Sequence, residues 1–416
     1  MQLKVNWKET GADIETLKNV ISDLDEHTHV KRVHALDFDL LSFKEITKDG
    51  YVRCFKLDEV NIREFENGKP ISTVRLPVNK FDSQLLAETI STTKLFMVVW
   101  DKDSPTIMHV SEVAMFTFLQ RGGLGGEIAS KLNTLSRNVF FAEALSHNVG
   151  NMSIVYRDGD ESDKVIFAVM GCRYERIPQK LVVDTVLSLE NSKGAECNYW
   201  TIDHEYTNVS LTFPKLAEEM QQTYGIATDC VPAIIMITSD VGLACFDAVA
   251  GYMIDGKNFI ITGQIKRKHM GEVDEAALAE ELEDTLLADV RKLPETLAYL
   301  MNKSVSDPKD LINRIWDDYL SKIPGFVRKN IPLKNMMLKE VEDLQVMSGY
   351  DIAMLFLTLE EQLIGLNDSS LHKLRIACAK IPYKIKRILE AIEVVEAASP
   401  VSLLPYFKEE SKENAI

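Results

Sequence analysis

From Ala233 to Thr238 the chain reads Ala-Ile-Ile-Met-Ile-Thr, and it then turns polar at once with Ser239, Asp240 and Gly242. A continuous apolar run of this length, rich in β-branched residues, suits a strand covered on both faces, so it belongs in a core. The turn that leaves it needs a residue able to take positive φ, and Gly242 supplies one. Asp240 thus stands at the end of a buried strand, a place that suits a functional carboxylate and equally a helix cap. Leu243 to Met253 continues as an apolar helix or strand, and Asp255-Gly256 ahead of Asn258-Phe259-Ile260-Ile261 signals a hairpin into another strand. Lys266, Arg267, Lys268 and His269 close the stretch with a cluster of cationic donors for an anionic group.

The rest of the chain alternates between the two periodicities. Met1–Trp7 alternates as a strand does, and residues 11–24 place Ile14, Leu17, Val20, Ile21 and Leu24 at helical spacing. Residues 33–78 alternate apolar and polar, with hairpin turns expected at Asp49-Gly50 and Asn67-Gly68. Lys94–Trp100 reads as a buried strand that pairs with Thr106–Val110, and Met152–Tyr156 with Val165–Met170 flank an acidic hairpin. Leu181–Leu189 is a strand or a short helix, and Pro214 opens a helix. Residues 272–289 carry eight acids and no Lys or Arg, with Leu278, Leu282, Leu286 and Val290 on one side, which predicts an amphipathic helix with an acidic outside. From Asp307-Pro308 onward helices are expected over 311–323, 334–346, 352–363 and 370–395, the last split near Ile381 by Pro382.

These elements describe an α+β chain: a mixed or antiparallel sheet core with packed helices, followed by an all-helical C-terminal domain. The expected division is an N-terminal α+β region over 1–120, a central α+β domain over 121–303, a helical domain over 304–405 and a disordered tail over 406–416. A chain of 416 residues is long enough for such a plan. Its formal charge of −16 opposes a general coat of phosphate contacts while leaving room for a local basic groove. The six cysteines, at 54, 172, 197, 230, 245 and 378, form no CxxC pair, which fits reduced thiols in a soluble cytoplasmic protein. No apolar run is long enough to span a membrane and the N-terminal residues show no apolar leader, so no membrane association is expected.

Several constellations carry chemistry. On an extended backbone Asp203 and Glu205 share a face, and with Asp240 as a third carboxylate they could bind Mg²⁺ or Mn²⁺ for phosphodiester hydrolysis; the ordinary alternative is a solvated charged strand. His27, His29 and His34 lie close in sequence, though histidines on polar segments are usually solvated. Arg121–Glu127 is a glycine-rich loop ahead of a helix expected over 128–146; it lacks the P-loop and dinucleotide spacings and reads better as a hinge. Between His372 and Arg387 there are six cations and no acid, Lys380, Lys384, Lys386 and Arg387 among them, with Tyr383 beside them. Such a face can hold phosphates and stack a base, or it can dock against the acidic helix. No serine-hydrolase, zincin or deaminase signature is present.

The order of Lys164–Ser188, a tryptophan-bearing strand, Thr238-Ser239-Asp240-x-Gly242, a buried element, and Ile265–Gly271 with His269-x-Gly271 ahead of a long helix resembles the phage and plasmid proteins grouped as domain of unknown function 932. The likeness spans roughly residues 30–300 and rests on short motifs. Cys245-Phe246 stands where that family keeps Cys-Asn. The resemblance implies a phage or mobile-element origin and no assigned activity. Three readings follow. The leading one is association with single-stranded DNA or RNA without catalysis, through the two cationic clusters and the glycine-rich loop, with Trp200, Tyr206 or Tyr383 stacking bases. The others are a protein-binding or self-assembling phage protein, and a metal-dependent phosphodiesterase.

Overall fold

The computed structural model describes residues 7–34, 37–100, 105–121, 123, 131–148, 150–159, 163–224, 230–243, 245–254, 258–268, 277–278, 280–282, 284, 293–322, 331–357, 359, 374 and 376–398. The chain divides into two compact units, the first made of residues 1–211, 235–248 and 265–284, the second of 212–234, 249–264 and 285–416. The fold class is α+β, as the periodicities predict.

The first unit is built on an eight-stranded sheet. Its strands are β2 (Thr28–His34), β3 (Phe38–Ile46), β4 (Tyr51–Lys56), β5 (Thr73–Pro77), β6 (Leu95–Trp100), β7 (Pro105–Val110), β8 (Asn151–Asp158) and β9 (Lys164–Gly171), in the order β2-β8-β9-β7-β6-β3-β4-β5. Neighbours run antiparallel except β7 and β9, which pair in parallel at His109 and Val165. A boundary at residue 120 would cut this sheet, because β8 and β9 pair with β2 and β7 from the first quarter of the chain. The sheet is buried on both sides, and β6 shows how. Leu95, Met97 and Val99 enter one apolar cluster with Phe118 and Phe141, while Phe96 and Val98 enter another with Leu41, Val52 and Cys54. That is the period of two of a pleated strand, which explains why β6 reads as a continuous apolar run.

Helices accompany this sheet. The first is α1 (Ile14–His27), whose N-cap Asp13 accepts from Thr16 N at 2.7 Å and which buries Leu17, Ile21 and Leu24 at helical spacing. Next come α2 (Glu59–Glu66), α3 (Ser83–Ser91), α4 (Glu112–Arg121), α5 (Thr134–Asn148) and α6 (Lys180–Lys193). The α4 and α5 helices meet through Phe118 and Phe141, with ring centres 4.8 Å apart and edge to face. Two readings are corrected here. Asn67-Gly68 ends α2 rather than turning a hairpin, because Asp58 caps a helix over residues that also satisfy an alternating pattern. The helix expected from residue 128 is described from Thr134, and most of the glycine-rich loop lies outside the described residues. The choice left open at 181–189 falls to a helix, which Gly194 ends at φ 65°, with its N–H on Glu190 O.

A second sheet has the order β1 (Lys8–Gly11), β10 (Glu196–Asp203), β11 (Thr207–Thr212), β12 (Cys230–Thr238), β13 (Phe246–Ile254) and β14 (Asn258–Arg267). The apolar run at 233–238 is therefore a strand, as expected, and the open choice at 243–253 falls to a strand, β13, with every residue buried. At the β1–β10 pair, Gly11 lies opposite Trp200, which is 1% exposed and donates its indole N–H to Asp13 O at 2.9 Å. A Cβ at Gly11 would stand 2.6 Å from the Trp200 ring.

The second unit is mainly helical: α7 (Pro214–Tyr224), α8 (Leu293–Asn302), α9 (Pro308–Asp318), α10 (Ile331–Glu340), α11 (Gly349–Leu357) and α12 (Ile381–Ala398). The α8, α11 and α12 helices pack together and bury Leu297, Leu300, Ile352, Phe356, Ile381, Ile385 and Leu389. Pro382 sits in the first turn of α12, where its missing N–H costs nothing, so the split expected near Ile381 is where this helix starts. The C-terminal part is not purely helical, since Ser304–Val305 and Met347–Ser348 form a short antiparallel ribbon. The expected strand at residues 1–6, the tail after 405 and most of the acidic segment 272–289 lie outside the described residues.

Because the Gly11 position is already filled by an indole, Gly11→Ala overpacks it and should cost about 1–3 kcal/mol. The change should appear as a lower urea midpoint with an unchanged slope.

Candidate functional site

Asp240 ends fully buried at the turn after β12. Its carboxylate lies 3.8 Å from Arg157 Nη2 and 3.3 Å from Arg176 Nη2, and its Oδ1 accepts from Gln179 Nε2. Its backbone carbonyl accepts from Tyr174 Oη at 2.5 Å. Burial pushes the Tyr174 phenol well up, Asp240 adding to this, so it remains a donor. Arg157, on β8, is 1% exposed and donates to Thr28 Oγ1 at 3.2 Å and to His204 Nδ1 at 2.7 Å. Burial lowers its guanidinium to about 10, with the Asp240 charge opposing that fall, so it stays cationic at neutral pH. Arg176 also pairs with Asp25. Asp25 in turn accepts from Lys180 N at 2.9 Å, a carboxylate at the N-terminus of α6. Burial raises the Asp25 carboxyl, only partly offset by Arg176.

Next to this network is an open cavity of about 360 Å³ in the first unit. Trp7, Phe167 and His204 give it aromatic walls, with His204 stacked on Phe167 at 4.5 Å and tilted against Trp7 at 5.4 Å. Among the described lining residues are four carboxyl groups, Glu88 on α3, Glu112 on α4, and Asp203 and Glu205 in the β10–β11 turn, with Lys8 as the only Lys or Arg. Burial, then the charge of Glu112, raises the Glu88 carboxyl to about 7.

The carboxylates expected to form a metal cluster take different roles. β10 ends at Asp203, so Asp203 and Glu205 do not alternate along a strand; Asp203 Oδ1 accepts from Glu205 N at 2.8 Å and Tyr206 N at 2.7 Å, closing the turn. Asp240 is already matched by two guanidinium groups. Among the described residues no group of three His, Cys, Asp or Glu is placed to hold a metal ion. His27 and His29 converge on one carboxylate, Asp158, at 3.1 and 2.9 Å.

The cations also separate. Lys266 pairs with Asp247 at 3.0 Å and Arg267 with Glu281, while Lys268 is exposed and His269 lies outside the described residues. In the second unit rings and an amide are among the partners. Lys384 Nζ stands 4.7 Å over the Tyr319 ring, Lys386 Nζ 5.7 Å from the Tyr299 ring and 3.8 Å from Glu390, and Lys380 Nζ 3.4 Å from Gln264 Oε1. Arg387 is exposed.

Sequence reasoning found Asp240 but missed Arg157, Arg176, Gln179 and Asp25 around it, and Glu88, Glu112 and Trp7 in the cavity. The one available signal was Arg157 itself, a cation closing the apolar run Met152–Tyr156. Asp240→Ala leaves two guanidinium groups without their shared counter-charge and should destabilise the protein by about 3–5 kcal/mol. Chemical denaturation of that variant beside Glu205→Ala, which should move stability by less than about 1 kcal/mol, checks the contrast. Compared with known protein families, curated proteins and solved structures, the chain matches none.

Proposed function

We propose that the chain is a nucleic-acid-associated binding protein, of the phage or mobile-element origin its sequence resemblance implies, and that the cationic face of α12 carries the contact. The observation behind this is the nature of the partners there. Lys380, Lys384 and Arg387 follow at spacings of four and three, so they form one stripe on the side of the helix away from Ile381, Ile385 and Leu389. Lys384 rests on a phenol ring, Lys380 reaches an amide, and Lys386 lies near a second ring and 3.8 Å from Glu390. A lysine on a neutral partner exchanges it for a phosphate at less cost than one already in an ion pair. Tyr319 and Tyr299, under Lys384 and Lys386, add aromatic surface of the kind on which bases stack. Lys266 and Arg267, each with a carboxylate of its own, contribute less.

The phosphodiesterase reading loses support by the same reasoning, since Asp240 is enclosed by cations rather than open to a metal.

Fluorescence anisotropy of labelled single-stranded DNA and RNA, titrated with salt, tests the proposal. Saturable binding that weakens with salt is expected, and Lys384→Glu with Arg387→Glu should lower low-salt affinity about tenfold or more and flatten the salt slope. Unchanged binding in that double variant would remove α12 from the interface. Absence of binding at low salt would sink the proposal and leave protein partners as the better reading.

A further inference from the structure

The cavity of the first unit has a sign and a shape that α12 does not share. Its volume, about 360 Å³, lies within the range of small-molecule sites. Its walls are Trp7, Phe167 and His204, and among the described lining residues the carboxyl groups of Glu88, Glu112, Asp203 and Glu205 outnumber the single Lys8. An anionic ligand such as a phosphate would meet like charge there. A divalent metal needs several convergent ligands, and the described residues offer no such group. What fits an acidic, aromatic-walled cavity is a positively charged group on an apolar or planar body.

We propose that this cavity binds a small organic cation, an ammonium group on an aromatic or aliphatic body, with Glu88 and Glu112 as counter-ions and Trp7 and Phe167 as walls. The indole of Trp7 is oriented by its N–H bond to Glu9 Oε1 at 3.0 Å, and Phe167 by the Arg157 guanidinium 4.7 Å from its ring centre. The site therefore stands before the ligand arrives. Its counter-ions also compete with protons. Burial and then Glu112 hold the Glu88 carboxyl at about 7, so near neutrality the bound cation takes the place of a proton. The groups around Glu88 are Glu112 on α4, Lys8 on β1, and Asp203, His204 and Glu205 in the β10–β11 turn; Arg137 on α5 acts on Glu112. The sign follows: the folded protein binds a proton at Glu88 more tightly than the unfolded chain does. Between the ordinary glutamate range and about 7, rising pH therefore lowers stability and raises affinity for the cation.

Isothermal titration of the full chain with phenethylamine, with its neutral counterpart phenethyl alcohol, and with manganese chloride tests this. The amine should bind saturably and about tenfold more tightly at about pH 8 than at about pH 6, while the alcohol should bind far more weakly. Glu88→Gln should cost about tenfold or more in affinity at the higher pH and abolish the pH dependence, with a thermal transition confirming that the variant folds. Equal affinity for amine and alcohol overturns the proposal, as does no heat up to about 10 mM amine. Manganese binding that Glu88→Gln removes, without amine binding, overturns it in favour of a metal site. Failure of either result bears on this cavity alone, because the nucleic-acid reading rests on α12.

Discussion

One carboxylate organises the first unit. Asp240 is fully buried and faces two guanidinium groups, and its neighbours reach it from several parts of the chain. Arg157 comes from β8, Arg176 and Gln179 from the segment before α6, and through them Asp25 from α1 and His204 from the β10–β11 turn. A buried ion network of this kind adds little net stability over an apolar core of equal volume, because desolvation offsets the attraction. Its effect is on alternatives. A one-residue slip of β8 against β2 would turn Arg157 to the other face of the sheet, away from Asp240 and into apolar packing, so the misregistered fold is penalised by an unpaired cation. Gly242 makes the turn at φ 74°, with the Met170 side chain filling the space where a Cβ would project.

How much of this could be read in the sequence depended on range. Elements with a strong local period were legible: α1 from Leu17, Ile21 and Leu24, β6 and β7 from their apolar runs, and the start of α12 from Pro382. Where two periods were both satisfied, the outcome was decided by packing. Residues 59–66 alternate acceptably for a strand, yet Asp58 accepts from Asn61 N at 2.8 Å and Ile62 finds the core, so a helix forms. Long-range pairing is likewise illegible, since nothing local says that β8 and β9 will join strands laid down before residue 111.

The candidate site was half legible. Asp240 could be suspected because it follows a buried strand, but its partners lie 61 to 83 residues earlier, and no spacing rule links them. The cavity was less visible still. Glu88 and Glu112 begin as ordinary helix residues, and only the meeting of α3 with α4 makes one of them hold its proton near neutrality. Cation clusters were the reverse case: conspicuous as letters, yet distinguishable only by their partners. Lys266 and Arg267 have carboxylates, whereas Lys384 lies over a ring.

The two features of the first unit are joined by His204. An arginine cannot accept a hydrogen bond, so the 2.7 Å contact from Arg157 Nη1 requires His204 Nδ1 to act as the acceptor, and the ring then carries its proton on Nε2. The same guanidinium also donates to the His204 carbonyl at 3.3 Å, which fixes the backbone and side chain of that residue together. A ring held in this form brings no positive charge to the cavity it lines. The buried network thus keeps the cavity acidic from behind: Asp240 retains Arg157 as a cation, Arg157 holds His204 neutral, and the carboxylates at the front are left to set the sign.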